Sequence, residues 1–311
     1  MRVIVAVAEH GGIAAAARAL TFTPPAVSQQ IAALERQLGV VLVDRTGRTA
    51  RLTAAGHRLA DHARQILASL EAAEADLTAL DGDLCGVLHV GTIPTLGRAL
   101  LPATLAELAT IAPRLELRVE QVEPEASLPA LARGELDLAL AGEYGLTPHR
   151  PTTHIQRVDL FTEPVLIAVG PDYPTTGTEI ALTDLRDARW IAPAVGSTCE
   201  VLLHRSCALA GYEPHVVAHC ADFDLAAALA STGHGVTLIP AIAAELCRSS
   251  APVRLLHARQ PEIHRTLYAA IREGARDHPL LGALINALRS ASTFASTRSS
   301  VPLSGAATRP A

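Results

Sequence analysis

The 311-residue chain is long enough for two or three domains, and 49% of its residues are hydrophobic, as in a globular protein. No uninterrupted apolar run reaches the roughly 18 residues of a membrane helix, and no secretory signal opens the chain, so we expect a soluble cytoplasmic protein without a membrane partner. The net charge of −5 conceals an asymmetry, because residues 1–60 carry +4 and the remainder carries −9. A basic head on an acidic body is typical of proteins that bind nucleic acid.

Residues 12–53 predict two short helices that meet at a turn, followed by a basic hairpin. Thr23 is a candidate N-cap for the second helix, which is predicted from Pro24 to Leu38 and ends at Gly39. The spacing i, i+4, i+7, i+11 predicts its buried face as Val27, Ile31, Leu34 and Leu38. Its exposed front suits contacts with phosphates and base edges in a major groove. We therefore predict DNA contacts from Thr23, Pro24, Pro25, Ser28, Gln29 and Gln30.

Residues 40–53 alternate β-branched and polar side chains around a turn at 46–48, which predicts a two-stranded wing. Arg45 and Arg48 lie on it. An ordinary solvated hairpin would explain them, but beside a helix-turn-helix we favour contact with the DNA backbone or minor groove.

A long helix is predicted over residues 54–80. Its apolar positions step alternately by four and three residues, which is the pattern of a coiled-coil seam. The seam consists of Leu59, Ala63, Ile66, Leu70, Ala73 and Leu77. A helix with such a stripe needs a partner, so the pattern favours a homodimer, although another domain of the same chain could cover it.

The motifs of this head resemble LysR-type transcriptional regulators. The resemblance rests on residues 15–20 (AAARAL), 25–31 (PAVSQQI), Leu34-Glu35, Leu38-Gly39, 42–45 (LVDR), Gly47-Arg48 and 52–56 (LTAAG). It implies a winged helix-turn-helix, a dimerising linker helix, a C-terminal effector-binding domain, and a homodimer or homotetramer bound to double-stranded DNA. This chain departs from the family in having Pro24 where many members carry a DNA-contacting Gln. Its first helix, predicted from Val3 to Glu9, is a turn or two short.

Residues 86–290 predict an α/β domain of two lobes. Strands and helices alternate as β-α-β-α-β from Val87 to Leu140, which predicts parallel pairing. A turn-rich segment at 142–158 follows, and then a second set of alternating elements. Lobe I is predicted at about 86–160 plus 266–290 and lobe II at about 161–265. The whole chain is thus α/β, and this part resembles type 2 periplasmic-binding proteins. The closing helix is predicted to end near Ala291, and residues 291–311 are expected to form a disordered tail.

Ligands of open α/β sheets bind at the carboxyl ends of strands, where helix N-termini converge. The candidate effector-binding residues are Thr92, Ile93, Thr95, Gly142, Gly196, Ser197, Thr198 and Asp222. Free backbone N–H groups at these ends would favour an anionic group such as a carboxylate. Plain N-capping is the alternative for each hydroxyl and for Asp222.

The five cysteines form no CxxC pair and have no His at metal-ligand spacing, so we expect neither a metal nor a cofactor. Most are expected to be small buried hydrophobes. One alternative is redox sensing through Cys199 and Cys207, because LysR-type peroxide sensors use a reactive and a resolving cysteine in this region. An α/β enzyme or a solute-binding protein is a remoter alternative, since no catalytic motif is present and residues 12–53 fit neither class.

Overall fold

The structure is a computed structural model that describes residues 1–45, 50–79, 84–148, 155–247, 251–276 and 278–299. Its α-helices are α1 (Arg2–His10), α2 (Ile13–Ala19), α3 (Pro24–Leu38), α4 (Ala54–Ala79), α5 (Pro94–Ile111), α6 (Pro124–Arg133), α7 (Thr198–Leu209), α8 (Phe223–Ser231), α9 (Ala241–Cys247) and α10 (Pro279–Ser299). Its strands are β1 (Val43–Asp44), β2 (Arg51–Leu52), β3 (Cys85–Thr92), β4 (Arg114–Gln121), β5 (Leu138–Tyr144), β6 (Ile155–Val169), β7 (Glu179–Ala181), β8 (Arg189–Ala192), β9 (His215–His219), β10 (Thr237–Pro240), β11 (Arg254–Arg259) and β12 (His264–Arg272). Within the described residues, no helix combines the length and apolarity of a membrane span.

The first three helices and the β1–β2 hairpin form the N-terminal head. Helix α3 starts and stops where the sequence predicts, because Thr23 Oγ1 accepts from Ala26 N at 3.4 Å and Gly39 takes a left-handed conformation with φ 68°. Val27 and Ile31 are buried in the core of the head. Leu38 is 49% exposed, so its predicted burial is wrong. The turn of the wing at 46–49 lies outside the described residues.

Helix α4 has 26 residues and connects the head to the rest of the chain. Gly56 in its first turn lies so close to the Leu42 carbonyl oxygen that a Cβ there would overlap it. Ala63 is fully buried against the head, so its predicted place in a dimer seam is wrong. Leu59 is half-buried beside the same cluster. Ile66, Leu70 and Ala73 remain exposed, and the side chain of Leu77 lies outside the described residues.

The C-terminal part contains two lobes with separate cores. In lobe I the strand order is β4-β3-β5-β12-β6, and β3 pairs in parallel with β4 and β5 as predicted. In lobe II, β10 and β11 flank the end of β6, and β8 pairs with β9. Trp190 and Val236 bridge β8 to the segment that leads into β10.

Strand β6 runs through both lobes. Its first part pairs with β12 in lobe I, and Val165–Val169 pairs with β10 and β11 in lobe II. The chain returns to lobe I at the start of β12, beside the point where β6 leaves it. These two crossing strands form the floor of the cleft between the lobes.

Two expected boundaries are wrong. The segment at 142–158 was expected to be turn-rich, but β5 continues to Tyr144 and β6 begins at Ile155. The expected tail begins too early, because α10 is helical to Ser299. Residues 300–311 lie outside the described residues.

Arg64 of α4 connects the head to lobe I. Its guanidinium lies 3.6 Å from the Glu9 carboxylate of α1 and 3.9 Å from the Glu135 carboxylate that follows α6. Gln65 Nε2 donates to the Ala132 carbonyl oxygen at 3.3 Å. The end of α6 therefore rests on the helix that carries the head.

Candidate functional site

The N-terminal end of α3 presents the predicted DNA-contacting side chains on one exposed surface. Thr23, Pro24, Pro25, Gln29 and Gln30 are exposed, whereas Ser28 is half-buried. Pro24 occupies the first position of the helix, where a backbone N–H would have no partner within the helix, so its absence costs no hydrogen bond. The uncharged tips of the two glutamines can donate and accept hydrogen bonds, as base edges require.

The wing is fixed to α3 by Glu35. Its carboxylate accepts from Leu42 N at 2.8 Å, Val43 N at 3.1 Å and Arg45 Nη1 at 3.2 Å. Burial opposes ionisation, but these bonds and the Arg45 charge outweigh it and lower the pKa of Glu35. Arg45 is thereby positioned beside α3. Arg48 lies outside the described residues.

A cavity of about 450 Å³ lies between the two lobes. It contains six of the eight predicted effector-binding residues, namely Ile93, Thr95, Gly142, Ser197, Thr198 and Asp222. Two do not line it. Thr92 is buried, with its hydroxyl donating to Ile93 O at 3.0 Å, and Gly196 donates its N–H to Glu200 Oε2 at 2.6 Å.

Capping is part of the role of two cavity residues. Ser197 Oγ accepts from Glu200 N at the start of α7, and Asp222 Oδ1 accepts from Asp224 N at the start of α8. Helix α5 has no side-chain cap. The sequence predicts an anionic ligand because backbone N–H groups at helix N-termini would be free to bind it. At this cavity the N-terminus of α5, beside Thr95, meets that condition.

The floor of the cavity holds a buried ion pair. Arg265 on β12 lies opposite Glu163 on β6, with Arg265 Nη2 2.5 Å from Glu163 Oε1. The second oxygen, Oε2, accepts from Ile242 N at 2.6 Å. Burial disfavours the charge of Arg265, but the Glu163 carboxylate outweighs burial and raises the pKa of the guanidinium. Arg265 also donates to Thr95 Oγ1 at 3.4 Å, so the crossing strands bring a fixed cation to the cavity.

A thiol lies beside this cation. Cys199 Sγ and the Tyr144 hydroxyl are 2.6 Å apart, and both residues line the cavity. Burial raises the pKa of Cys199, although the Tyr144 hydrogen bond and the Arg265 charge act in the opposite direction. Burial and the neighbouring Cys199 raise the pKa of Tyr144 well above its usual value. Both groups are therefore protonated at neutral pH.

Two polar contacts cross from one lobe to the other. Thr198 Oγ1 donates to Glu125 Oε1 at 2.7 Å, and Arg98 Nη1 lies 2.9 Å from Asp224 Oδ2. The pKa of Glu123 is raised, mainly by burial and to a smaller extent by the charge of Glu125, whereas the charge of Arg265 acts in the opposite direction. Both cavity arginines are thus already paired with carboxylates of the protein.

Sequence reasoning did not assign Arg265, Glu163 or Tyr144 to the ligand site. No local pattern identifies the ion pair, because Arg265 lies between His264 and Thr266 at the start of β12 and Glu163 follows Thr162 within β6. The burial of both charges arises only from the crossing of the two strands, and each buried charge then needs a partner of opposite sign.

Two family models match the chain. The first, "Bacterial regulatory helix-turn-helix protein, lysR family", matches residues 1–57, and the second, "LysR substrate binding domain", matches residues 81–293. Curated relatives include the hydrogen peroxide-inducible genes activator of Pectobacterium carotovorum subsp. carotovorum, 30% identical over 90% of this chain and 90% of the relative. Another is a probable hydrogen peroxide-inducible genes activator of Streptomyces viridosporus, 32% identical over 94% of this chain and 93% of the relative.

Solved structures share this fold over more than nine-tenths of the chain. Full-length OxyR from Pseudomonas aeruginosa matches with a TM-score of 0.70 at 23% identity, covering 94% of this chain and 93% of that one. Full-length CbnR complexed with its target DNA matches with a TM-score of 0.59 at 25% identity, covering 93% and 98%. The winged helix-turn-helix head, the linker helix and the two-lobed domain are all present here in the order of the two family models. The chain therefore belongs to the LysR family of transcriptional regulators.

Proposed function

We propose that this regulator acts in the cytoplasm and recognises its operator through the exposed N-terminal end of α3. The observation that carries the proposal is the single surface formed by Pro25, Gln29 and Gln30 next to the wing, within a segment of net charge +4. Arg45 flanks this surface and supplies a cation for the phosphate backbone. Base-edge contacts from the glutamines would provide sequence specificity.

The proposed DNA-binding species is a homodimer joined through α4, and pairs of dimers form a tetramer. Ile66, Leu70 and Ala73 support this, because they are exposed within one chain and share a stripe. Two recognition helices held in this way would read an interrupted palindrome.

The proposed effector is a small molecule that binds in the cavity between the lobes. A volume of about 450 Å³ is within the range for small-molecule sites. An anionic group would bind at the N-terminus of α5 beside Thr95, where Arg98 is within reach if it leaves Asp224. Such binding would change the contacts between the lobes and favour one arrangement of the regulator over another.

Replacing Gln29 with Ala tests the recognition surface. We expect the specific affinity for a fragment of the gene's own upstream region to fall by about 1–3 kcal/mol, because a base contact is lost. Gel-shift titration against random competitor DNA at physiological salt measures this loss. Gln37→Ala is the matched control, since Gln37 is an exposed glutamine near the other end of the same helix. Equal affinities of wild type and Gln29→Ala would contradict this placement.

A second candidate is a response to hydrogen peroxide at Cys199. The specific observation is the position of the thiol in the cavity, next to the Tyr144 hydroxyl and the buried Arg265 charge. The names of the curated relatives favour the same chemistry. The raised pKa of this thiol disfavours a fast reaction, because the thiolate is the form that attacks peroxide.

The pH dependence of Cys199 alkylation tests how reactive this thiol is. Because its pKa is raised above 9.0, the rate with iodoacetamide is expected to rise about tenfold per pH unit from pH 7 to pH 9. Mass spectrometry of the Cys199 peptide gives the rate at each pH. Tyr144→Phe removes a hydrogen bond that lowers the thiol pKa, so this variant is expected to react more slowly. A rate that levels off below pH 8 would show that the Tyr144 hydrogen bond and the Arg265 charge together outweigh burial.

A further inference from the structure

The charged side chains that line the cavity between the lobes are predominantly acidic. Among the described lining residues, two are arginines and four are carboxylates, namely Arg98, Arg265, Glu123, Glu125, Asp222 and Asp224. Each arginine already has a carboxylate partner, which is Asp224 for Arg98 and Glu163 for Arg265. The lining therefore carries an excess of negative charge, and a purely anionic effector would add to it.

Glu123 contributes to this excess without a structural role that explains it. It stands at the N-cap position of α6, yet its side chain makes no capping hydrogen bond there. The carboxylate lines the cavity and is exposed, and no hydrogen bond or ion pair joins it to another described residue. Burial and the nearby charge of Glu125 raise its pKa, although Arg265 acts in the opposite direction. A positive group on a ligand would supply the counter-charge that Glu123 lacks.

A site for an anionic group lies next to Glu123. Strands β3 and β4 are parallel neighbours, and Val122 N donates to Thr92 O at 3.0 Å where they end. Adjacent strands are about 4.8 Å apart, so the start of α5, which follows β3, lies beside the start of α6, which follows β4. The first turn of α5 contains no acidic residue, whereas that of α6 contains Glu125. One helix start thus favours an anion and the other a cation.

Arg265 adds a full positive charge on the α5 side. Its guanidinium lines the cavity and donates to Thr95 Oγ1 in the first turn of α5 at 3.4 Å. Both kinds of charge act on one thiol in the same cavity. Burial raises the pKa of Cys199, a hydrogen bond and the charge of Arg265 lower it, and the charges of Glu123 and Glu125 raise it further. The positive and the negative subsite are therefore close enough for one small molecule to span.

We propose that the effector is a zwitterion, whose ammonium group pairs with Glu123 and Glu125 and whose anionic group binds at the start of α5 beside Arg265. This assignment rests on the proposed function of the cavity as the effector site and specifies the charges of its ligand. An ammonium group has three N–H donors, and carboxylates accept such donors in strong, charge-assisted hydrogen bonds. The described residues group no three side chains as ligands of a metal ion.

The ammonium group would also act on a contact between the lobes. Thr198 Oγ1 of lobe II donates to Glu125 Oε1 of lobe I at 2.7 Å. A hydrogen bond from an ammonium group to this carboxylate is stronger than one from a hydroxyl, because both of its partners are charged. Binding therefore competes with the Thr198 contact, which connects recognition of the positive charge to the arrangement of the lobes.

Calorimetric titration of the full-length protein with matched probes tests the charges of the effector. Glycine, 4-aminobutyrate and 6-aminohexanoate present an ammonium and a carboxylate at three separations. Acetate, butyrate and hexanoate lack the amine, and methylamine, butylamine and pentylamine lack the carboxylate. We expect at least one amino acid of this series to bind about tenfold or more tightly than either of its singly charged counterparts.

Glu123→Gln removes the charge of the ammonium subsite with little change in shape. The affinity for the preferred amino acid should fall about tenfold, whereas its carboxylate-only counterpart should bind no more weakly than before. The Tm of the ligand-free variant should not decrease, because Glu123 caps no helix. Glu120→Gln is the matched control and should bind as the wild type does, since Glu120 is exposed on β4 and outside the cavity lining.

The outcomes separate this assignment from the proposed effector site. If a carboxylate-only probe binds as tightly as its amino acid, or if Glu123→Gln binds the amino acid as the wild type does, the zwitterion is wrong and the effector cavity stands. Binding of Mg²⁺ alone that depends on Glu123 would assign the carboxylates to a metal ion instead. If no probe of any charge binds, the assignment fails together with the proposed role of the cavity.

Discussion

Glu163→Gln is expected to destabilise the two-lobed domain by about 3–5 kcal/mol, the usual effect of breaking a buried ion pair. The wild-type carboxylate uses both oxygens, one for Arg265 and one for Ile242 N. A glutamine has only one oxygen, so its NH₂ group would face a donor and the Arg265 charge would remain buried without a counterion. The size of the effect follows from the burial of both partners.

Thermal unfolding followed by tryptophan fluorescence measures this change. Trp190 is the single tryptophan of the chain and is fully buried in lobe II, so its emission reports on this domain. A decrease in Tm on the order of 10 °C is expected. Glu116→Gln is the control, because it breaks the Arg118–Glu116 pair at the surface, where a loss below about 1 kcal/mol is expected. Similar Tm values for both variants would contradict a structural role for the buried pair.

Local signals explain what the sequence could predict. The start and end of α3 depend on Thr23, Pro24 and Gly39, which act on backbone groups only a few residues away. The parallel order of β3, β4 and β5 likewise follows from the alternation of strands and helices. In both cases the determining residues lie within the elements or next to them in the chain.

Contacts between distant segments explain what it could not predict. Arg265 and Glu163 are 102 residues apart and meet only because β6 and β12 pair antiparallel where they cross. Thr92 and Thr95 both fit the pattern of a strand end, yet only Thr95 faces the cavity, because α5 begins between them. The change from strand to helix between Thr92 and Thr95 therefore decides which of the two threonines lines the ligand site.

The apolar stripe of helix α4 also depends on contacts that the sequence pattern alone does not reveal. The heptad pattern identified its apolar positions but could not distinguish those facing the head from those left for a partner. Ala63 packs beneath Ile4 and Leu42, whereas Ile66 and Leu70 stay exposed. The stripe is therefore divided between an intramolecular contact at its start and the proposed dimer contact farther along.

Ile66→Glu is expected to weaken the proposed dimer by two or more orders of magnitude, which corresponds to roughly 3 kcal/mol or more. Ile66 is 53% exposed in the single chain, so the substitution costs little in the monomer. In a symmetric dimer it places two carboxylates in the seam, one from each copy. Sedimentation velocity over a range of concentrations measures the change, and operator affinity should fall with it because paired recognition helices are lost.

His57→Glu is the matched control for the charge. Nine residues separate His57 from Ile66, which is two and a half helical turns, so the two side chains point to opposite sides of α4. His57 is exposed, and a carboxylate in the first turn of a helix is favourable. The control should therefore remain dimeric at concentrations where Ile66→Glu is monomeric. If Ile66→Glu sediments as the wild type does, the partner of the chain binds elsewhere, and the exposed stripe of α4 has a different role.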